Sequence, residues 1–230
     1  MYEINTDFER PDPEWVERAR GIYFCMIGCK VGPRYTMDPG INPLDHTWRV
    51  CGPAFTVRPE YATDVLMGQL AGKYVKPGDV VVIDAAGDPS AAVIGGSMAN
   101  GLKEAGATGI VVDGYILTAE VLRKRENIPV FSRGTVARAE SGNKGPGWLN
   151  VPVICGGVIV NPGDLIVGDE DGVAVVPREL VPEVIEYNEE HGADRPLDGN
   201  IPPRTPQDRS YYQRCGAEDK IAAMDNITIK

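Results

Sequence analysis

The hydrophobic pattern is most regular in the middle of the chain, where apolar runs alternate with glycine turns and helical segments. Residues 80–83 are a continuous β-branched run after a Pro-Gly-Asp turn, which is typical of a strand covered on both faces. Residues 99–105 predict a short helix, and residues 109–114 and 128–131 predict further buried strands. Because parallel strands and crossover helices bring strand ends and helix starts to one edge of a sheet, we expect a functional site there.

The flanking segments predict further elements. Residues 15–29 carry apolar side chains at helical spacing and predict one helix. Residues 48–57 predict a strand, which Pro53 places at a sheet edge or a bulge because proline cannot donate a ladder hydrogen bond. Further predicted elements are a helix at 64–72, a helix rich in Glu, Arg and Lys before residue 128, strands at 151–154 and 158–160, and a charged helix at 178–190.

A short motif occurs twice. Pro-Gly-Asp at residues 77–79 and again at 162–164 precedes an apolar run that ends in an aspartate. Two such turns, in a chain with 27 glycines, favour a second, antiparallel layer packed on the parallel one. The predicted fold class is therefore α/β, with mixed parallel and antiparallel strands.

The two ends of the chain differ from its centre. Residues 1–14 are polar and proline-punctuated and predict an N-terminal arm. Residues 191–230 contain four prolines and predict a C-terminal arm that is either mobile or packed on a neighbouring subunit. Tyr211 and Tyr212 favour packing, because aromatic side chains are enriched at interfaces.

Composition excludes some classes of partner. A net charge of −10 and a pI near 4.8 argue against nucleic-acid binding, because no broad basic face is available for phosphates. No apolar run is long enough for a membrane span and the N-terminus does not resemble a secretory signal, so we expect no membrane partner and a cytoplasmic location. The glycine turn at 95–98 lacks the dinucleotide spacing, so no nucleotide cofactor is expected.

The cysteines predict no special chemistry. Five cysteines, an odd number, are scattered along a chain that shows no secretory signal, and they are interpreted as free thiols. Cys25 and Cys29 lie four residues apart without a nearby histidine. We interpret them as small apolar residues on one helical face rather than as zinc ligands.

Several motifs, in order along the chain, resemble the RraA-like family, which includes the regulator of ribonuclease E activity and the class II 4-hydroxy-4-methyl-2-oxoglutarate aldolases. They are MDPGINPL at 37–44, GPAFTV at 52–57, PGDVVVID at 77–84, Asp113-Gly114, PVF at 129–131, VPV at 151–153, Gly156-Gly157, and PGD at 162–164 followed by GDEDGV at 168–173. The resemblance implies a three-layer β/β/α sandwich over residues 15–190, assembled as homotrimers or dimers of trimers.

The resemblance also implies lyase chemistry with Mg²⁺ or Mn²⁺. The aldolases release pyruvate enolate, and they use an Arg-Asp pair after the Asp-Gly motif together with an acidic residue at the glycine turn. In this chain those positions are Leu117, Thr118 and Gly96. Only the backbone amides of Gly95, Gly96, Ser97 and Met98 carry over, because amides do not depend on the side chain. Metal ligands are therefore left unassigned.

The candidate site residues follow from this alignment and from the strand ends. Asp113 and Thr118 are the candidate catalytic residues; Gly95, Gly96, Ser97, Met98 and Leu117 are the candidate substrate-binding residues. For Asp113 a structural role as a turn or cap aspartate is the alternative. Other side chains considered as substitutes are Asp88, Tyr115, Glu120, Arg123, Arg138, Lys144 and His46, whereas Asp169, Glu170 and Asp171 are interpreted as a tight turn.

Two functions from different classes remain. The first is a lyase-type enzyme, related to aldolases or decarboxylases, that acts on a small hydroxy or oxo carboxylic acid with non-standard catalytic residues. Leucine in place of arginine removes the cation that a second carboxylate would require, which favours a less charged substrate. The second is a non-catalytic ring protein of the RraA-like type that binds a protein partner or a small ligand.

Overall fold

The computed structural model describes residues 2–61, 63–124, 128–139 and 145–192. The helices are α1 (Pro13–Arg20), α2 (Phe24–Val31), α3 (Leu66–Ala71), α4 (Gly96–Glu104), α5 (Ala119–Lys124) and α6 (Val181–Gly192). The strands are β1 (Asn42–Pro43), β2 (Val50–Pro59), β3 (Val80–Asp84), β4 (Ala92–Ile94), β5 (Gly109–Ile116), β6 (Val130–Thr135), β7 (Gly147–Leu149), β8 (Val153–Cys155), β9 (Val158–Val160), β10 (Leu165–Asp169) and β11 (Gly172–Val176). The C-terminal arm beyond residue 192, Lys144 and Cys215 lie outside the described residues.

One mixed sheet forms the centre of the described chain. Its strand order is β1-β6-β5-β3-β2-β10-β11, with β4 paired to β5 and β7 to β2. Strands β2, β3, β5 and β6 run parallel, whereas β10 and β11 extend the sheet in antiparallel register. Strands β8 and β9 form a separate hairpin. The predicted α/β class with mixed parallel and antiparallel strands is confirmed.

Three apolar clusters hold the layers together. One lies on the sheet face that carries α3, α4 and α5 and includes Val81 and Ile83; the opposite face packs on the β8–β9 hairpin and includes Val80 and Val82. The third cluster joins α1, α2 and α6 to β10 and β11. The β-branched run of β3 therefore points alternately into two cores, as its sequence predicted.

Strand β2 differs from its prediction. It lies between β3 and β10 in the interior of the sheet, not at an edge. Pro53 is accommodated because pairing with β3 begins only at Ala54. The Ala54 amide donates to the Asp164 carbonyl at 2.8 Å, so the nitrogen of Pro53 faces away from β10, towards the side on which β3 has not yet begun.

The predicted helix at 15–29 is two helices. Helix α1 starts at Pro13, with the Asp12 carboxylate accepting the Glu14 amide at 2.9 Å, and ends at Gly21. The chain becomes extended at Tyr23 before α2 begins. Glycine is a poor helix former, so the helical spacing does not carry across residue 21. No helix in the described ranges is long and apolar enough to cross a membrane.

The two Pro-Gly-Asp turns are built alike. The Asp79 carboxylate accepts the Lys76 amide at 2.8 Å, and the Asp164 carboxylate accepts the Asn161 amide at 2.8 Å, three residues upstream in each case. Each aspartate thereby closes the turn that feeds a central strand. The repeated Pro-Gly-Asp motif thus forms two equivalent turns, one before β3, which is parallel to β2, and one before β10, which is antiparallel to β2.

Candidate functional site

A cavity of about 610 Å³ opens where α4 begins. Six of the seven predicted site residues line it, namely Gly95, Gly96, Ser97, Met98, Leu117 and Thr118. Three structural segments meet there: helix α3, the β4–α4 junction and the β5–α5 junction. Strand β4, which the sequence analysis did not predict, places the glycines beside the end of β5. The site therefore lies at the predicted edge of the sheet.

Helix α4 presents two unpaired amides to this cavity. The amide of Gly96 donates to the Thr118 hydroxyl at 2.8 Å, and the carbonyl of Gly95 accepts from the Ala99 amide at 3.0 Å. Within the described residues, the amides of Ser97 and Met98 have no acceptor. The helix dipole adds partial positive charge here, so a carboxylate is the natural acceptor. Of the four predicted amides, that of Gly96 is bonded to Thr118 and that of Gly95 belongs to the extended residue before the helix, so the first turn of α4 offers the amides of Ser97 and Met98.

Thr118 adopts an uncommon conformation. Its φ of 59° lies in the left-handed region, which β-branched residues rarely occupy. Its carbonyl accepts the Leu122 amide at 3.1 Å at the start of α5, while its hydroxyl accepts the Gly96 amide. These two bonds offset the backbone strain and join the starts of α4 and α5.

The side chains at positions 117, 118 and 121 fill the space above the glycine turn. A Cβ added to Gly95 would lie 3.3 Å from Leu117 Cγ and Cδ2. On Gly96 it would lie 3.2 Å from Thr118 Oγ1 and 3.3 Å from Val121 Cγ1. An acidic side chain at position 96 would therefore require Thr118 and Val121 to move, so the departures from the family pattern at positions 96 and 118 are sterically linked.

Asp113 lies away from this cavity. Strand β5 continues two residues beyond its predicted end, so Asp113 is inside the strand, on the face that packs against the β8–β9 turn. One carboxylate oxygen accepts from Arg133 Nε at 2.5 Å and the other accepts the Gly156 amide at 2.8 Å. The hydrogen bond to Asp113 is the main cause of the raised pKa of Arg133. Asp113 is thus occupied by structural contacts and is not among the residues that line the cavity.

The other candidates serve local structure. The Ser90 hydroxyl and amide hydrogen-bond to Asp88 and lower its pKa, and Glu120 pairs with Lys124 one helical turn away. Asp169 accepts the Asp171 amide at 2.9 Å, which confirms the predicted tight turn. His46, Tyr115, Arg123 and Arg138 do not line the cavity either.

The cysteines in the described ranges are free thiols, as predicted, and two of them are deeply buried. Burial raises the pKa of Cys51 to about 12, and it also raises the pKa of Cys155 well above the usual value for a thiol. A thiolate nucleophile is therefore disfavoured at both positions.

Four lining residues were missed by sequence reasoning. Val65 directly precedes α3 and Gln69 lies in it, Asn100 lies one helical turn after Gly96, and Val121 lies in the first turn of α5. The helical spacing of Asn100 from Gly96 was the one signal that could have identified it. The approach of α3 depends on the close packing of Gly68 against Met98, which no local pattern shows.

The described residues of the cavity do not fit a divalent metal. Its polar side chains are those of Gln69, Ser97, Asn100 and Thr118, without a carboxylate or an imidazole. Within the described ranges, no group of three or more His, Cys, Asp or Glu residues could hold a metal ion. Mg²⁺ and Mn²⁺ prefer carboxylate oxygens, which these side chains do not supply.

Residues 28–175 match a family model described as RraA-like, Aldolase/RraA. A protein of Halalkalibacterium halodurans named "Putative 4-hydroxy-4-methyl-2-oxoglutarate aldolase" is 43% identical over 182 residues, which cover 79% of this chain and 85% of that protein. A Burkholderia multivorans protein with the same name is 31% identical over 149 residues, covering 65% and 88%, respectively.

A solved structure is also similar to this chain. A Streptomyces coelicolor protein, described as an unusual member of the RNase ES inhibitor RraA protein family, superposes with a TM-score of 0.71 at 32% identity. The superposition covers 80% of this chain and 96% of that one. Proteins named as putative aldolases and a member of an RNase ES inhibitor family therefore both occur among the relatives.

Proposed function

The chain belongs to the RraA-like family, and on this premise we propose that it is a lyase-type enzyme acting on a small hydroxy or oxo carboxylic acid. The observation that carries this proposal is the convergence of the family's site positions in one cavity, beside two unpaired amides at the start of α4. The relatives named as aldolases support lyase chemistry. We also propose the family's ring assembly, a trimer or a dimer of trimers.

In this proposal the Ser97 and Met98 amides hold the substrate carboxylate at the positive end of α4. The side chains of Gln69 and Asn100 lie in the same cavity, where they can hydrogen-bond to the carbonyl or hydroxyl of the substrate. In retro-aldol cleavage the hydroxyl proton passes to water, the hydroxyl carbon leaves as a carbonyl product, and the electron pair of the broken carbon–carbon bond forms the enolate of the oxo acid, with its charge on the carbonyl oxygen. Neutral donors stabilise that charge less than a guanidinium does, so we expect turnover to be slow.

A second candidate function is supported by a different observation. None of the described residues that line the cavity has an ionisable side chain. General acid–base catalysis depends on such a group, whereas ligand binding does not. The alternative proposal is therefore a non-catalytic ring protein that binds a small ligand or a protein partner.

Pyruvate release tests the enzymatic proposal. The substrates are 4-hydroxy-4-methyl-2-oxoglutarate, 4-hydroxy-2-oxopentanoate and oxaloacetate, each assayed with Mg²⁺, Mn²⁺ or EDTA, with pyruvate followed by a lactate dehydrogenase couple. We expect slow release by the unmodified protein from at least one substrate. A Leu117→Arg/Thr118→Asp variant should be about 10²-fold faster with Mg²⁺ on 4-hydroxy-4-methyl-2-oxoglutarate. Aspartate tolerates the left-handed backbone at position 118 better than threonine does.

The matched control is Leu117→Met/Thr118→Ser, which keeps an apolar side chain and a hydroxyl and should not gain metal-dependent activity. Silence of the unmodified protein on all three substrates, combined with activity in the Arg/Asp variant, would contradict the enzymatic proposal and support the binding protein.

A further inference from the structure

Part of the cavity wall beside the glycine turn is apolar. Val65, directly before α3, and Leu117 and Val121, around the start of α5, contribute aliphatic side chains. Val121 is 37% exposed, and Leu117 is half-buried over Gly95. When an apolar group of a ligand covers aliphatic side chains that are partly open to a cavity, the free energy falls, because apolar surface is removed from water.

The polar side of the cavity has room for one carboxylate. The Thr118 hydroxyl already accepts the Gly96 amide, so the Ser97 and Met98 amides are the two that remain for a ligand in the first turn of α4. None of the described lining residues carries a positive charge. The nearest cations along the chain, Arg123 and Lys124, lie on the exposed side of α5, and Lys124 pairs with Glu120.

A second carboxylate would therefore be poorly placed. It would lose water against Val65, Leu117 and Val121 without gaining a cation or a free amide in exchange. Removing a carboxylate from water without such compensation is costly, whereas a methyl or isopropyl group at the same place is stabilised by burial.

We propose that Leu117 and Thr118 are specificity-determining residues that select monocarboxylates with an apolar substituent and reject dicarboxylates. Thr118 limits the anion site to two amides, and Leu117 builds the wall that covers the rest of the ligand. This assignment rests on the proposed function, because it uses the same cavity for the substrate.

Calorimetric binding of 2-oxo acids to the full chain tests this assignment directly. The probes are 2-oxopentanoate and 2-oxo-4-methylpentanoate against 2-oxoglutarate, all measured with EDTA. We expect both monocarboxylates to bind at least about tenfold more tightly than 2-oxoglutarate. Leu117→Arg should reverse that order, because it replaces the wall with a cation.

Two control variants separate specificity from general effects. Leu117→Met keeps the apolar wall and should keep the preference for monocarboxylates. Ile159→Arg introduces the same charge at a β9 position that is 62% exposed and outside the cavity, and it should leave the order of affinities unchanged. Reversal in Ile159→Arg as well would show that net charge sets the preference, which would overturn the assignment.

The outcomes also distinguish this inference from the proposed function. Equal or tighter binding of 2-oxoglutarate by the unmodified protein overturns the specificity assignment, even if pyruvate is released in the turnover assay. Selective monocarboxylate binding without turnover of any hydroxy acid supports the assignment and removes the lyase chemistry. Failure of all three probes to bind would overturn the specificity assignment, and the turnover assay would then decide the proposed function by itself.

Discussion

At the scale of single residues, Asp113 is a carboxylate whose two oxygens both accept hydrogen bonds that hold the fold together. Its two oxygens join β6, through Arg133, to the β8–β9 turn, through the Gly156 amide. The Asp113 side chain is 8% exposed and that of Arg133 is 24% exposed, so solvent replaces little of this pairing. We therefore assign Asp113 a structural role, which can be tested without knowing the substrate.

We predict that Asp113→Asn lowers the free energy of unfolding by about 2 kcal/mol, because a half-buried guanidinium loses its charged partner. Urea unfolding followed by circular dichroism measures this loss. The matched control is Asp38→Asn, which removes the more exposed carboxylate 3.4 Å from Arg133 and should cost about 0.5 kcal/mol or less. Unchanged stability with lost turnover would instead place Asp113 in the chemistry.

The resemblance to the RraA-like family brought together Gly96, Leu117 and Thr118, and the shared edge of strand ends and helix starts predicted only where a site would lie. Neither could show that the Thr118 hydroxyl would accept the Gly96 amide, since that bond joins residues 22 positions apart and depends on a left-handed backbone. Asp113 was misplaced relative to the cavity for a simpler reason. Successive side chains of a strand point to opposite faces, and Val112 already faces the helices.

At the scale of secondary-structure elements, the break at Gly21 changes how the helical layer is held. Helix α1 is only eight residues long and depends on contacts with β2 and α6 for its stability. Arg18 reaches Glu189 on α6 with two hydrogen bonds, of 3.0 and 2.6 Å. The hydrogen bond from Arg18 is the main cause of the lowered pKa of Glu189.

This pair should make stability depend on pH in a defined direction. Because the folded pKa of Glu189 is lowered, its contribution is present above the unfolded value of about 4 and is lost as the pH falls through the folded pKa. We predict that Glu189→Gln lowers the free energy of unfolding by about 0.5 kcal/mol at pH 7, a small value because the pair is partly exposed. Well below the folded pKa of Glu189, the substitution should leave the free energy of unfolding unchanged. Urea unfolding at pH 7 and in acid measures this difference.

Glu190→Gln is the control for this prediction, since it makes the same change at the next, exposed position of α6. An equal loss in both variants at pH 7 would show that net charge, not the pairing with Arg18, is responsible.

Strand β2 marks the limit of element-level prediction. A proline in a strand normally indicates a sheet edge. The exception arises only because the pairing of β2 with β3 begins at Ala54, one residue after Pro53. That offset is set by the turn at 77–79, which belongs to a different element. The run of β3 was predictable because its own alternation satisfies both cores, whereas the position of β2 depends on the register of its neighbours.

At the scale of the whole molecule, the N-terminal segment is connected to the sheet rather than extended as a separate arm. The Asn5 amide donates to the Leu149 carbonyl at 3.1 Å, and the Leu149 amide donates to the Glu3 carbonyl at 3.0 Å. The Phe8 ring meets Phe55 edge-on, with 6.0 Å between the ring centroids. Beyond it, Arg10 pairs with both oxygens of Asp79, at 2.7 and 2.8 Å.

The Asp79 side chain is fully buried, and it also closes the turn that starts β3. Arg10 therefore neutralises a carboxylate on which the central strand depends. We predict that Arg10→Met lowers the global free energy of unfolding by about 3 kcal/mol, since removing one partner leaves a buried charge uncompensated. Arg10→Lys keeps the charge but cannot pair with both oxygens of Asp79 in the same way. Its free energy of unfolding should therefore lie between those of the unmodified protein and Arg10→Met.

Unfolding in guanidinium chloride, followed in parallel by tryptophan fluorescence and circular dichroism, measures the loss of global stability in Arg10→Met. Coincident transitions at a lower midpoint in Arg10→Met are expected if residues 2–12 belong to the cooperative unit. A variant that unfolds at the unmodified midpoint would show that the Asp79 turn is maintained without Arg10. The N-terminal segment would then be dispensable for the sheet that carries the cavity.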